Sequence, residues 1–363
     1  MEFLMNEYTI TVLPEDQVAE ALSLMKRCFE TNLHSIFFLH PETTLVALFE
    51  GRIVAGLNLD VYKVNKTVTM AYIGWLYTDS NHRGKALAGQ LLDVAMRFCK
   101  DLGCTDIAGC VEGDNPASFK QLERRGFKRL GLLGQALRFR QGMFRVYHHA
   151  SRFFDMGYFF WHKCLDGSKV KESVINTKAL LFGMIANTLL FLPILFEINI
   201  PSLVFNIPTK SGHWLLLLLL PSATLLSRTM ALYLVALKHK VPVEYHLWDT
   251  AFLTALILPL LTGICFPVPG NIYIKGSDWS LENHKALLSK MALASVVATG
   301  SLLMLVQSLD LYPYPLVLLL MDTLFFFYPF CGFNASRINR GSKKIKVTAF
   351  SVLLVCLLYL LLY

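Results

Sequence analysis

The spacing of apolar residues changes character about halfway along the chain. Up to residue 165 they recur at short periods, and from about residue 176 they run on in long blocks. In the first part, Tyr8–Val12 alternates as a strand and leads through Pro14-Glu15-Asp16 into an apolar-periodic helix reaching Phe29. Thr44–Phe49 and Ile53–Leu59 alternate as strands across the turn Glu50-Gly51-Arg52, and Val68–Tyr77 reads as another. A loop over Thr78–Arg83 precedes a helix over 84–102, where Leu87, Leu91, Leu92, Ala95 and Phe98 share one face. Ile107–Val111 reads as a buried strand, Asn115–Arg125 as a helix and Phe127–Leu130 as a strand. The head is expected to be a mixed α/β layer structure.

Residues 138–165 interleave Arg138, Arg140, Arg145, Arg152 and Lys163 with Phe139, Phe144, Phe153, Phe154, Tyr158, Phe159, Phe160 and Trp161. Strands are expected to about Tyr147, then a segment at a membrane surface, where rings anchor and cations meet anionic lipid. Apolar blocks follow near 176–196, 212–236, 247–267, 286–308, 312–330 and 346–363. Most reach the length that crosses about 30 Å of hydrocarbon as helix. Basic loops favour the cytoplasmic face, and Lys238, Lys240 and the stretch Arg337–Lys346 all return there only if one block fails to cross. The block 247–267 carries Asp249, Pro259 and Gly263, so five crossings plus one re-entrant piece are expected. The expected division is 1–165 for the head, 166–175 for a linker and 176–363 for a multi-pass membrane domain. Arg228, Asp249, Lys290 and Asp322 lie within the apolar blocks. They are either functional, or Arg228 pairs with an Asp of the bundle and Lys290 reaches an interface.

Composition sharpens the division. Of 363 residues 54% are hydrophobic and 17% charged, which excludes a disordered chain and argues against a purely soluble one. Residues 1–170 hold 20 Lys/Arg and 18 Asp/Glu, whereas 171–363 hold the other 14 and 8 of the 34 and 26. The excess of positive charge thus sits beside the apolar blocks and gives no reason to invoke nucleic acid. Met1 to Thr11 contains Glu2 and Glu7 and no apolar run, so the head is expected in the cytosol. The eight Cys form no C-x-x-C pair and read as reduced core thiols, and no metal is expected.

The sharpest chemical signal is the turn Arg83-Gly84-Lys85-Ala86-Leu87-Ala88 between a strand and a helix. Free N–H groups at a helix start attract phosphate oxygens, and small residues admit them closely. The stretch S-N-H-R-G-K-A-L-A-G-Q-L-L resembles the acetyl-CoA motif R/Q-x-x-G-x-G/A of the GNAT acetyltransferase superfamily. Arg83 and Ala88 match its ends, and Ala86 stands at the usual Gly. A second motif of that family, N-x-x-A/S-x-x-x-Y-x-x-x-G-F, fits Asn115, Ser118, Gly126 and Phe127. The resemblance covers about residues 5–147 and implies an α+β GNAT-like mixed sheet with flanking helices and acetyl-CoA as cosubstrate. It implies that amides of residues 84–88 hold the pyrophosphate, that Leu76, Tyr77 and Thr78 pair with the pantetheine arm, and that Asn115 and Ser118 border the thiol end. The family's Tyr acid corresponds to Leu122, which cannot donate a proton. Glu112, ending its strand beside the expected cleft, is the first candidate for a base, ahead of Asp79, Tyr77 and Asp114. A solvated loop carboxylate is the competing reading, and Cys110 reads as core.

Residues 228–248 and 267–276 resemble the intramembrane site-2 metalloproteases, most clearly at Glu244-Tyr-His-Leu-Trp248 and in the Pro-Gly-x-Ile-Tyr-Ile piece at 269–274. Tyr328 to Ile338 is similar to that family's Leu-Pro-x-x-Pro-Leu-Asp-Gly-x-Lys-Ile region. Hydrolysis there needs H-E-x-x-H, two His ligands one turn apart with a Glu base. Here Arg228 to Leu232 stand at those positions, and Asn334 falls at the third ligand, an Asp in the family. His239, His246, His148 and His149 read as ordinary solvated residues. The expectation is a membrane-tethered N-acyltransferase, acting on an amine of a small molecule, peptide or protein at the cytoplasmic face, with a proteolytically inactive membrane domain. The rival expectation is a non-enzymatic acyl-CoA-binding sensor or adaptor that captures transmembrane partners.

Overall fold

Nearly unbroken runs of buried side chains in the inner strands let one sheet bury both of its faces. A computed structural model describes residues 2–5, 7–153, 155–168, 177–195, 214–262, 265–307 and 313–362. Eight strands form a single sheet: β1 (Glu2–Met5), β2 (Tyr8–Val12), β3 (Thr44–Phe49), β4 (Arg52–Lys63), β5 (Thr69–Thr78), β6 (Asp106–Glu112), β7 (Lys128–Arg129) and β8 (Tyr158–Cys164). Their spatial order is β1-β2-β3-β4-β5-β6-β8-β7. The pairs from β1 to β5 are antiparallel, while β5 and β6 run parallel. Along β3, Leu45 and Ala47 join the core beneath α2 (Leu87–Asp101), and Val46 between them joins the core beneath α1 (Val18–Cys28). Each Leu taken fully out of water there contributes about 1.5–3 kcal/mol.

Tyr8–Val12 and Thr44–Phe49 occupy the residues the alternation predicts. β4 runs on to Lys63, and β1 is a strand that the polar pattern before Tyr8 does not announce. The helix expected over 84–102 begins at Leu87 because the backbone is left-handed at Gly84 and Ala86. α3 spans Pro116–Arg124. A larger correction falls on 132–149. Instead of strands there are two short helices, α4 (Leu132–Phe139) and α5 (Met143–His149), joined by a 3-10 turn at Arg140–Gly142. The segment expected at a membrane surface contains β8, which lies between β6 and β7 with Phe160 and Trp161 buried. The unbroken aromatic run Tyr158–Trp161 there belongs to an inner strand. Phe154 and the linker residues 169–175 lie outside the described residues.

By contact the chain separates into two units. The first holds Met1–Val111, Ala117–Arg152 and Phe159–Ser173; the second holds Glu112–Pro116, Phe153–Tyr158 and Val174–Tyr363. In the second, α6 (Thr177–Leu195), α7 (Trp214–Lys238), α8 (Phe252–Thr262), α9 (Leu281–Gln307), α10 (Pro313–Leu324), α11 (Asn334–Asn339) and α12 (Lys343–Leu362) accompany a two-stranded sheet of β9 (Val243–His246) and β10 (Asn271–Ile274). Ser289, Ala292, Ser295, Thr299 and Gly300 are small buried residues along α9, which packs with α7, α10, α11 and α12. Among the described residues, three helices are long and apolar enough to cross a membrane: Leu215–Lys238, Leu281–Gln307 and Lys343–Leu362. Lys178–Leu192 and Pro313–Phe327 are shorter apolar helices. α8, with 11 residues, reaches about 17 Å, roughly half of a hydrocarbon core. All eight cysteines are free thiols.

Candidate functional site

The first part of the site follows from how α2 begins. After β5 ends at Thr78, the Asp79 carboxylate accepts from the Asn81 amide at 2.9 Å and holds a tight turn. The chain then becomes left-handed at Gly84 (φ +78°) and again at Ala86 (φ +60°). A side chain at Gly84 would meet open space, so the dihedral rather than crowding calls for glycine there. Ala86 is the N-cap and supplies no side-chain oxygen to the first amides of α2. Those orphan donors therefore face outward with the positive end of the helix dipole. Arg83, Gly84, Lys85 and Ala86 are exposed, Ala88 is half-buried, and Leu87 is anchored in the core at 1% exposure. The arrangement suits a diphosphate: backbone N–H groups, two cations and no bulky neighbour. The left-handed Ala86 costs about 1–2 kcal/mol relative to an ordinary conformation.

The second part is a parting of the sheet. β5 and β6 pair in register from Met70–Asp106 to Ile73–Gly109, and no further. Beyond that point β5 continues to Thr78 and β6 to Glu112 without pairing to each other. A bulge against β4 falls at the same level, where Asn58 faces Trp75, Leu59 faces Ile73, and Gly74 is the extra residue. Any side chain at Gly74 would collide with the Phe38 ring at 2.1 Å. Leu76 and Thr78 are half-buried beyond the bulge, and Tyr77 points inward, 3% exposed, with burial pushing its phenol up. The Thr78 carbonyl accepts from the Cys28 thiol at 3.5 Å. Phe29 and Phe37 pack on Trp75 with centroids 5.0 and 4.7 Å away, an aromatic wall the sequence pattern did not single out.

Ser118 is half-buried on α3, and Leu122 on the same helix is a core residue at 4% exposure. Asp79 pairs with Arg27 at 3.8 Å. Glu112, Asp114 and Asn115 belong to the second unit. The Glu112 carboxylate accepts from Arg340 at 3.0 and 3.1 Å, an ion pair rather than a solvated loop group. Burial raises the Glu112 pKa, with Arg340 opposing that rise and Asp114 adding to it. Asp114 accepts a two-pronged bond from Arg337 at 2.7 and 2.9 Å, and Arg337 also donates to the Ile272 carbonyl at 2.8 Å. Partners more than 220 residues away leave no local trace in sequence.

A cluster in the first unit joins buried Asp106 and His162 with half-buried Cys164, and their ligand-type atoms lie within 4.8 Å of one another. Arg138 binds both Asp106 oxygens at 2.9 and 2.7 Å, with His162 at 2.6 Å and Thr105 at 2.6 Å. Burial works against the Asp106 carboxylate, yet the hydrogen bonds from His162, Arg138 and Thr105 prevail and hold it at about 2. The guanidinium already supplies the positive charge that a cation would bring. His149, read as solvated, instead bonds Asp60 at 2.6 Å and stacks on Tyr62. His246 is likewise buried and bonded to Glu244 at 2.8 Å.

The second unit has a polar centre of its own. Arg228 donates to Asp322 at 2.6 and 3.0 Å and to the Gly270 carbonyl at 3.0 Å. Asn334 donates to Asp322 through its amide nitrogen and its side chain, both at 3.0 Å, and to Ser295 at 2.9 Å. Arg228, Ser295, Asp322 and Asn334 are all fully buried. The pairing expected of Arg228 with an acid of the bundle is thus made, and Asp322 is that acid.

Residues 8–127 match the model of the acetyltransferase (GNAT) family, so this part of the chain carries a GNAT acetyltransferase domain. No curated protein matches the chain in sequence. Similar solved structures include the NatC complex bound to Gag peptide and CoA, at 21% identity and a TM-score of 0.33, covering 44% of this chain and 98% of that one. Another is N-acetylglutamate synthase from Neisseria gonorrhoeae with coenzyme A and N-acetyl-glutamate, at 10% identity and a TM-score of 0.34, covering 45% of this chain and 36% of that one. A third is Ard1 from Thermoplasma volcanium, at 14% identity and a TM-score of 0.32, covering 44% and 97%.

Proposed function

We propose that the chain is a membrane-tethered N-acyltransferase that moves an acetyl group from acetyl-CoA to an amine at the cytoplasmic face. The observation that carries this reading is the left-handed turn through Gly84 and Ala86 into an uncapped helix start, within a region that matches an acetyltransferase family. Amides of residues 84–88, helped by Arg83 and Lys85, would bind the pyrophosphate of the thioester. The free edge of β5 at Leu76, Tyr77 and Thr78 would bind the pantetheine amides, with Asn115 and Ser118 toward the thiol end.

The acceptor amine nitrogen attacks the thioester carbonyl carbon, the C–S bond breaks, and the ammonium proton must leave. Glu112 is the proposed acceptor of that proton, directly or through water, and its raised pKa brings it nearer the range a base needs. The departing thiolate takes its proton from solvent, because Leu122 cannot give one. Positioning supplies much of the rate with so reactive an acyl donor.

The apolar helices would hold the head beside membrane-bound substrates and raise its effective concentration there. α8 is proposed as the re-entrant piece among five crossings. The membrane half is proposed as a site-2-protease-like scaffold without proteolysis, since Arg228 and Asn334 stand where ligands would be. A second reading is favoured by Leu122 in the core and Glu112 in an ion pair: a sensor or adaptor that binds acyl-CoA without turnover and captures other membrane proteins.

Calorimetric titration of acetyl-CoA into the purified full-length chain tests both readings. No heat and no thermal shift at millimolar ligand overturns them. Release of free CoA with a panel of primary amines, compared between the unaltered chain and Glu112→Gln, then separates transferase from sensor.

A further inference from the structure

Helix α4 buries Phe139 and Gln135 on one face and leaves leucines on the other. Gln135 turns into the interior, where its side-chain nitrogen donates to the Leu130 carbonyl at 2.6 Å. Leu133 and Leu137, one helical turn apart, face outward at 73% and 70% exposure. Phe144 on α5 is 70% exposed, and Leu132 is exposed as well. Large apolar side chains left this exposed on two successive helices point to an interaction surface.

The segment itself carries charge of one sign, and the acids that reach it, Asp60, Asp106 and Asp166, are paired to His149 and Arg138. No Asp or Glu occurs between Glu123 and Asp155, a stretch with eight Lys and Arg. Arg138 and Arg152 are taken up inside the fold, but Arg140 and Arg145 are exposed on the turn and on α5. Arg145 donates to the Lys63 carbonyl at 3.2 Å and Asn65 to the Phe139 carbonyl at 3.1 Å. These bonds bring the β4–β5 hairpin, with exposed Lys63 and Lys66, beside the junction of the two helices.

We propose that the α4–α5 face is a docking surface for an acidic phospholipid bilayer. Leu133, Leu137 and Phe144 enter the boundary between headgroups and acyl chains, and Arg140, Arg145, Lys63 and Lys66 meet the phosphates. A bilayer of this kind offers shallow apolar depth and a continuous layer of negative charge, the two features this face requires together. The inference rests on the membrane-tethered reading above and is independent of acetyl transfer.

Photo-crosslinking of the full-length chain tests it, with Leu133→p-benzoylphenylalanine and Phe144→p-benzoylphenylalanine in vesicles of phosphatidylcholine with or without phosphatidylserine. Asp16→p-benzoylphenylalanine serves as the aqueous control, and Leu354→p-benzoylphenylalanine on α12 reports whether the chain is embedded at all. The expected result is lipid adducts at 133, 144 and 354 and none at 16. Adduct at 133 should fall at least about fivefold without the acidic lipid, since each basic residue at a charged surface is worth about that factor. Lipid adduct at 354 with no lipid adduct at 133 and 144, or with a cross-linked dimer there, overturns the docking surface and leaves the tether intact. No adduct at 354 overturns both.

Discussion

Arg228 and Asp322, separated by 94 residues in sequence, meet in a two-bond ion pair with both side chains at 0% exposure. Removing one partner of such a pair strands the other charge, at a cost of about 3–5 kcal/mol, whereas an apolar replacement of both is close to neutral. Asp322→Ala should therefore lower the unfolding temperature of the detergent-solubilised chain far more than the double change Arg228→Met with Asp322→Leu. Equal losses in the two variants would show that the pair contributes through shape alone.

Ala86 holds a conformation that glycine adopts freely. Ala86→Gly should stabilise the folded chain by about 1 kcal/mol, reduced somewhat by the greater freedom of glycine when unfolded. It should also tighten acetyl-CoA binding by removing a methyl from the approach to the amides. Thermal unfolding and calorimetry read the two effects separately. Ala86→Val should move both in the opposite direction.

Asp106 makes stability depend on acid. Its folded pKa, about 2, lies below the unfolded value of about 3.9, so the contribution is complete above the unfolded value and is lost as pH falls toward the folded one. The head should lose about 2–3 kcal/mol between roughly pH 5 and pH 1 from this group. Asp106→Asn should be less stable at neutral pH and show a shallower loss in that window. Parallel pH curves for the two chains would exclude Asp106 as the source.

If Glu112 is the base, transfer requires its ionised form, and the rate should rise with pH through its raised pKa. Arg340 opposes that rise, so Arg340→Met should move the acidic limb of kcat/KM to higher pH, while Arg340→Lys leaves it nearly in place. Glu112→Gln should abolish the limb and lower kcat by about 10²–10⁴-fold. An acidic limb that stays fixed in all three variants assigns the proton transfer to another group.

Much of the head was legible because local signals agree with the global fold. Alternation marks β2 and β3, and the small-residue turn marks the start of α2. The region expected to form strands to about Tyr147 forms two helices for a physical reason. Gln135 and Phe139, four residues apart, face inward while Leu133 and Leu137 face outward, and a polar residue on the buried face hides that helical spacing. The partners of Glu112, Asp114 and Asp106 were not legible, since Arg340, Arg337 and Arg138 reach them through tertiary structure. Arg228 was easier, because a cation in an apolar block demands an anion, and few are on offer.

Past Ile73 and Gly109 the ends of β5 and β6 no longer pair with each other, and among the described residues no strand lies between them. Such a gap is a sheet edge placed in mid-molecule, and bare edges invite strands from neighbouring molecules. A slender linear occupant would shield it. Preparations supplied with the nucleotide thioester should thus resist clumping on storage, and those stripped of it should be the first to precipitate.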